Sequence, residues 1–157
     1  MENHSEKTLF DGDMTSTQKS LASSSPNLGQ TIIITKNDSI RRRVSQILKR
    51  IEENKTVLIA SKSNGIPKAI SIIEIVKQNL TQSLQQYNKV TKISSKVNPN
   101  HKSHKIEKAT IQDPTQEATE SIRGPKVYIL PIMYTLLEVD DNKTNNLNGW
   151  TTQTVMK

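Results

Sequence analysis

The chain predicts an α/β two-layer sandwich of order β-α-β-α-β-β, with two helices on one face of a mixed four-stranded sheet and flexible tails. Three observations carry this prediction. The β-branched run Ile32-Ile33-Ile34 is followed by a segment whose apolar residues recur at helical spacing, and so is the run Val57-Leu58-Ile59. Two further runs, 87–97 and 126–137, read as strands and close the pattern. These signals bound a folded domain at 30–138. The flanks, 1–29 and 139–157, hold too little apolar surface to offset the entropy of ordering and are expected as a flexible arm and a flexible tail.

Residues 31–36 form the first strand, and Asn37 or Asp38 is placed to cap the helix that follows. Ile40, Val44, Ile47, Leu48 and Ile51 make one stripe on a 3.6-residue period, which leaves Arg41, Arg42 and Lys49 on a basic outer face. Asn54 and Lys55 end that helix, and 56–61 is the second strand. Lys62-Ser63-Asn64-Gly65 is a turn, with Pro67 suited to the first turn of a second helix over 66–84. The apolar arc of this helix spans roughly 220°, wider than one core face needs. Its surplus at Ile72 and Ile75, with Val76 beside them, marks a candidate partner interface; deeper core is the alternative. A slip in alternation near Ser94-Ser95 predicts a bulge, and Pro131 predicts a bulge or an edge in the last strand. Residues 98–124 are a long polar insertion in the hairpin between the last two strands.

Charge is distributed unevenly. Residues 30–108 carry sixteen Lys and Arg against five acids, a block charge of +11, within a chain whose net charge is +7. A basic folded block between slightly acidic flanks points to a polyanion, nucleic acid first. The absence of cysteine excludes disulfides and Cys-type zinc sites. No apolar stretch approaches about 18 residues and the first twenty lack a signal-peptide pattern, so a soluble, intracellular protein is expected. His101 and His104 find no third ligand, and no paired carboxylates stand beside a nucleophile on the core elements. Neither an enzyme nor a bound cofactor is expected.

The candidate contacts fall in three groups. Lys36, Arg41 and Arg42 lie at the junction of the first strand and helix, where a solvated helix face is the plainer account. Lys62, Asn64 and Gly65 offer a cation and a flexible backbone before a helix, or simply a tight turn. Lys89, Lys92 and Lys96 run along a strand and continue into Lys102 and Lys105, forming a charged arm or a lysine-guarded edge. Aromatics make up only 3% of the chain, so base stacking is disfavoured and backbone and shape recognition of structured RNA fits better.

At these motifs the chain resembles the Alba superfamily over about 31–137. The resemblance rests on Lys36 at the end of the first strand, the turn Ala60-Ser61-Lys62-Ser63-Asn64-Gly65-Ile66-Pro67-Lys68-Ala69-Ile70 and the basic hairpin. The stretches Lys36-Asn37-Asp38-Ser39-Ile40-Arg41-Arg42, Ile70-Ser71-Ile72-Ile73-Glu74-Ile75 and Tyr87-Asn88-Lys89-Val90-Thr91 are similar to the smaller fungal Alba-like subunits of nuclear ribonuclease P and ribonuclease MRP. The resemblance implies an Alba-like sandwich and a heterodimer with a second Alba-like chain. It implies binding to a structured stem and internal loop of the catalytic RNA, in contact with other proteins of the particle. The subunit would be nuclear and nucleolar and would do no chemistry itself. It would support tRNA 5′ and rRNA precursor processing, and in yeasts telomerase RNA particles. Two other classes stay open: an Alba-type DNA-binding chromatin protein acting as a homodimer, and an adaptor for an acidic protein.

Overall fold

The computed structural model describes residues 4–25, 28–96, 122, 124, 126–139 and 146–155. Its elements are α1 (His4–Ala22), β1 (Ile32–Ile34), α2 (Ile40–Asn54), β2 (Thr56–Lys62), a 3-10 turn (Ser63–Gly65), α3 (Ile66–Asn79), β3 (Leu84–Ser95), β4 (Tyr128–Val139) and β5 (Thr151–Val155). The sheet has the order β1-β2-β4-β3-β5. β1 and β2 are parallel and every other neighbouring pair is antiparallel, so the sheet is mixed. This is an α/β fold consistent with an Alba-like sandwich.

The expected β-α-β-α-β-β order is present, with α2 and α3 on one face. They close a core of Val44, Ile47, Ile51, Ala69, Ile73 and Val76 over Ile32, Ile34, Val57, Ile59 and Leu137. α2 starts at Ser39 rather than at Asn37 or Asp38: Ser39 Oγ accepts from Arg42 N at 3.5 Å. Asp38 is drawn back instead, its Oδ2 accepting from Thr35 N at 2.7 Å. α2 ends at Lys55 in the left-handed region (φ 61°), whose N–H bonds to Ile51 O. α3 is shorter than the spacing predicts. Leu80 is already extended, and Leu84, expected on the helix, opens β3.

The bulge expected near Ser94-Ser95 does not form, and at Pro131 the edge alternative holds rather than the bulge. Ser94 pairs with Ile129 and Ser95 with Tyr128 in unbroken register. Pro131 is also in register, opposite Lys92. β2 ends at Lys62, opposite Ile132, so Pro131 has a neighbouring strand on one side only and its missing N–H is tolerated.

The flexible arm expected over 1–29 is corrected by α1. Phe10, Met14, Thr17 and Leu21 recur at steps of four, three and four, one stripe of a helix. That stripe packs against the sheet face opposite α2 and α3, over Leu58, Ala60, Tyr87, Leu130, Ile132, Tyr134 and Leu136. Both faces of β2 are therefore buried, which explains its uninterrupted apolar run. The tail expected over 139–157 is likewise ordered in part. β5 adds to β3 at Leu84–Asn88, and Leu147 and Trp150 pack against the α1-side core.

Gly65 holds the 3-10 turn close to β1. A Cβ added there would come within 2.7 Å of Ser61 Oγ and 2.9 Å of Ile34 O, in a place where Ser61 Oγ already bonds to Ile34 O. Gly65→Ala is expected to cost about 1–3 kcal/mol of stability, the range for overpacking, read as a lowered urea midpoint with unchanged m. A midpoint equal to wild type would show that the turn has room to move.

Candidate nucleic-acid interface

The register brings three connections to one end of the sheet. β1 ends at Ile34 opposite Ser61, β2 ends at Lys62 opposite Ile132, and the β3–β4 hairpin runs on past them to Ser95 and Tyr128. Residues 35–39, residues 63–65 and the mouth of the hairpin thus share an edge. Lys36, Arg41, Arg42, Lys92, Lys96 and Lys126 are exposed there, and among the described residues no acid pairs with any of them.

Several other cations are committed to the fold, although Lys19 and Lys55 also stand exposed. Arg43 forms a forked pair with Asp38 through Nε at 3.0 Å and Nη2 at 2.8 Å. Burial works to raise the Asp38 carboxyl, but the bonds from Thr35 and Arg43 outweigh it and hold the group below its ordinary range. Lys68 Nζ donates to Asp38 O at 2.9 Å and also to Lys36 O, so it ties the α3 N-terminus to the loop that presents Lys36. The residue types alone did not mark Lys68 for this role; its place in the first turn of a helix beside another loop is the only signal. With Asp38 seated at the start of α2, that helix terminus is not a free anion site, and Lys36, Arg41 and Arg42 present charge through their side chains alone.

The expected contacts in the second turn need correction. Lys62 turns toward α1, where Nζ bonds to Glu6 Oε1 at 2.9 Å and stands 5.4 Å from the centre of the Phe10 ring. Gly65 is buried against β1 and offers no backbone approach to a phosphate. Asn64 is exposed at the edge. The strand lysines also divide. Side chains alternate along β3, so Lys92 lies on the α3 side, while Lys89 lies on the α1 side with its Nζ 5.9 Å from the centre of the Trp150 ring; Lys96 follows the last residue of β3. Lys102 and Lys105 lie outside the described residues, as do His101 and His104.

Ile72 and Val76, expected at a partner interface, are fully buried within this chain, and Ile75 packs against the same core. Ile72 and Val76 have no free surface to offer, whereas Ile75 is only partly buried. Exposed apolar side chains on that side of the molecule include Ile40 on α2, Ile70 on α3, Val90 on β3 and Ile129 on β4.

Residues 30–94 match the Alba family model. The match supports membership of the Alba superfamily. Alba domains bind nucleic acids and form dimers. The matched span contains Lys36, Arg41, Arg42, Lys62 and Lys92 and stops before β4; α1 and β5 lie outside it. No curated protein matches the chain. No described helix is long and apolar enough to cross a membrane.

Glu6 gives the α1 contact a pH dependence. Burial acts to raise its carboxyl, and bonds from Lys62 and Ser95 with the Lys62 charge bring it below the ordinary 4.5. A depressed carboxyl pKa stabilises the fold above the ordinary value, and that contribution is lost as pH falls through the folded one. Lys62→Met is expected to cost about 1–3 kcal/mol, because it leaves the partly buried Glu6 carboxylate without its ion pair and with the Ser95 bond, while leaving nucleic-acid affinity close to wild type. A large affinity loss without a stability change would return Lys62 to the contact surface. Glu6→Gln should flatten the acid limb of stability measured below the ordinary carboxylate range.

Proposed function

We propose that the chain is a noncatalytic RNA-binding subunit of a ribonuclease P and ribonuclease MRP type particle. It pairs with a second Alba-like chain, and the heterodimer holds a stem and internal loop of the catalytic RNA, supporting tRNA 5′ and rRNA precursor processing in the nucleus. The observation that carries this reading is the sorting of cations. Lys62, Arg43 and Lys77 are paired to acids, whereas Lys36, Arg41, Arg42, Lys92, Lys96 and Lys126 stand exposed at one end of the sheet. Charges left unpaired at one edge suit phosphates, which such an edge meets along a backbone.

The choice of structured RNA rests on two supports. Tyr87, Tyr134 and Phe10 are buried and Tyr128 and Trp150 half-buried, so no exposed aromatic serves as a platform for unstacked bases among the described residues. The likeness at 36–42, 70–75 and 87–91 points to the ribonuclease P and MRP subunits within the superfamily. The test is competition at matched salt between an RNA stem with an internal loop and duplex DNA of equal length. Preference for the looped RNA is expected. Equal or better binding to the DNA would move the chain to the chromatin class.

A further inference from the structure

Between α3 and the β3–β4 ladder lies a groove of about 230 Å³. Its walls are Ile70, Ile73 and Met133, and its polar lining is Glu74, Gln86, Asn88 and Thr135. The volume falls below the roughly 300 Å³ at which small-molecule pockets begin, so a single side chain is the better fit. The exposed apolar residues Ile70 (48%), Val90 (69%) and Ile129 (64%) stand on the same face. By strand alternation Val90 follows Gln86 and Asn88, and Ile129 precedes Met133 and Thr135, on the side that meets α3.

The hydrogen bonding inside the groove is one-sided. Asn88 Oδ1 accepts from both Gln86 Nε2 and Thr135 Oγ1, each at 3.0 Å. Gln86 is 7% exposed, and its Oε1 is buried without a donor among the described residues. Flipping the Gln86 amide alone would set two carbonyl oxygens against each other. Glu74 adds a half-exposed carboxylate, whose Oε1 bonds to the buried Lys77 at 2.5 Å. The groove therefore asks for hydrogen-bond donors. A phosphate would meet a carboxylate and an apolar rim here.

We infer that this groove receives an arginine side chain of the second Alba-domain chain and anchors the dimer. A planar guanidinium offers several donors in a fixed fork, which suits a buried amide oxygen beside a carboxylate. A second copy of this chain is the poorer occupant. Lys92 is an exposed basic residue on this face of β3, and a two-fold axis through the patch would bring its charge against its own copy. The inference rests on the heterodimer reading and adds the chemistry that selects the partner.

The test coexpresses the full-length chain with each of the other Alba-domain chains encoded in the same genome and measures the affinity of the pair that forms. Gln86→Leu is expected to weaken that pair roughly tenfold or more, because a buried guanidinium loses its acceptor. Glu74→Gln, at an exposed position, should weaken it several-fold and guards against a folding defect in the first variant. Alanine substitution of the partner's arginines one by one should find one whose effect does not add to that of Gln86→Leu. If a pair forms and every partner arginine is additive with Gln86, the groove is not the anchor and the dimer reading survives. If no chain pairs, the dimer reading fails and the inference with it. If the chain dimerises alone and Gln86→Leu abolishes this, the occupant is a second copy and the inference is overturned.

Discussion

Removing α1 leaves the protein unable to stay folded and soluble. A chain starting after Ser25 uncovers Leu58, Tyr87, Leu130, Ile132, Tyr134 and Leu136 on one continuous sheet face. Exposed apolar surface of that extent on a monomer drives aggregation. The graded form of the prediction uses Phe10 and Leu21, which are 5% and 1% exposed. Phe10→Ala is expected to cost about 3–5 kcal/mol and Leu21→Ala about 2–5 kcal/mol, the ranges for emptying a packed core site. Each kcal/mol should appear as a fall in Tm of roughly 2–4 °C for a chain of this size. Polar contacts hold the same helix. Tyr134 Oη donates to Asp13 Oδ2 at 2.6 Å, and Thr91 Oγ1 donates to the same oxygen at 3.0 Å. Burial, and then the Asp13 carboxylate, push the Tyr134 hydroxyl far above its ordinary range, so it stays a donor at any working pH. If the truncated chain were soluble with wild-type melting, α1 would be an accessory and not half of the core.

The second large effect is on binding. Reversing Lys36, Arg41 and Arg42 together to Glu should lower RNA affinity by roughly a hundredfold or more at low salt. The same change should reduce the salt slope by about two to three units, near one for each phosphate no longer neutralised. All three are exposed and none pairs with a described acid, so folding stability should be nearly unchanged. Lys92→Glu with Lys96→Glu should act in the same direction on the hairpin side. Lys89→Glu should do less, because Lys89 lies on the other sheet face against Trp150. A salt slope equal to wild type in the triple variant would remove the α2 edge from the interface.

The legible part of the fold was the part with dense local signals. The stripe at Ile40, Val44, Ile47 and Ile51 and the β-branched runs of β1 and β2 each say what they are within a dozen residues. α1 was hidden because its stripe holds only two strongly apolar residues, Phe10 and Leu21. The rest of its docking comes from Glu6 and Asp13, whose partners lie 56 to 121 residues away. One signal was available: the unbroken run Val57-Leu58-Ile59-Ala60 has no solvent face and implies cover on both sides. The interface assignment failed for a different reason. A wide apolar arc on α3 cannot say which of its residues meets the sheet, and the exposed one is Ile70, not Ile72. Lys62 was misread because its commitment to Glu6 is a long-range contact. The division of Lys89 from Lys92 follows from strand parity and was legible.

The central claim is that the free cations at one sheet edge serve a particle RNA. Its most direct test is to tag the chain in its native cell, purify it at moderate salt and identify the RNAs and proteins that remain. Enrichment of ribonuclease P and MRP RNAs together with a second Alba-like chain, lost in the Lys36, Arg41 and Arg42 variant, is the expected result. Recovery of histones and genomic DNA without a discrete RNA would contradict it.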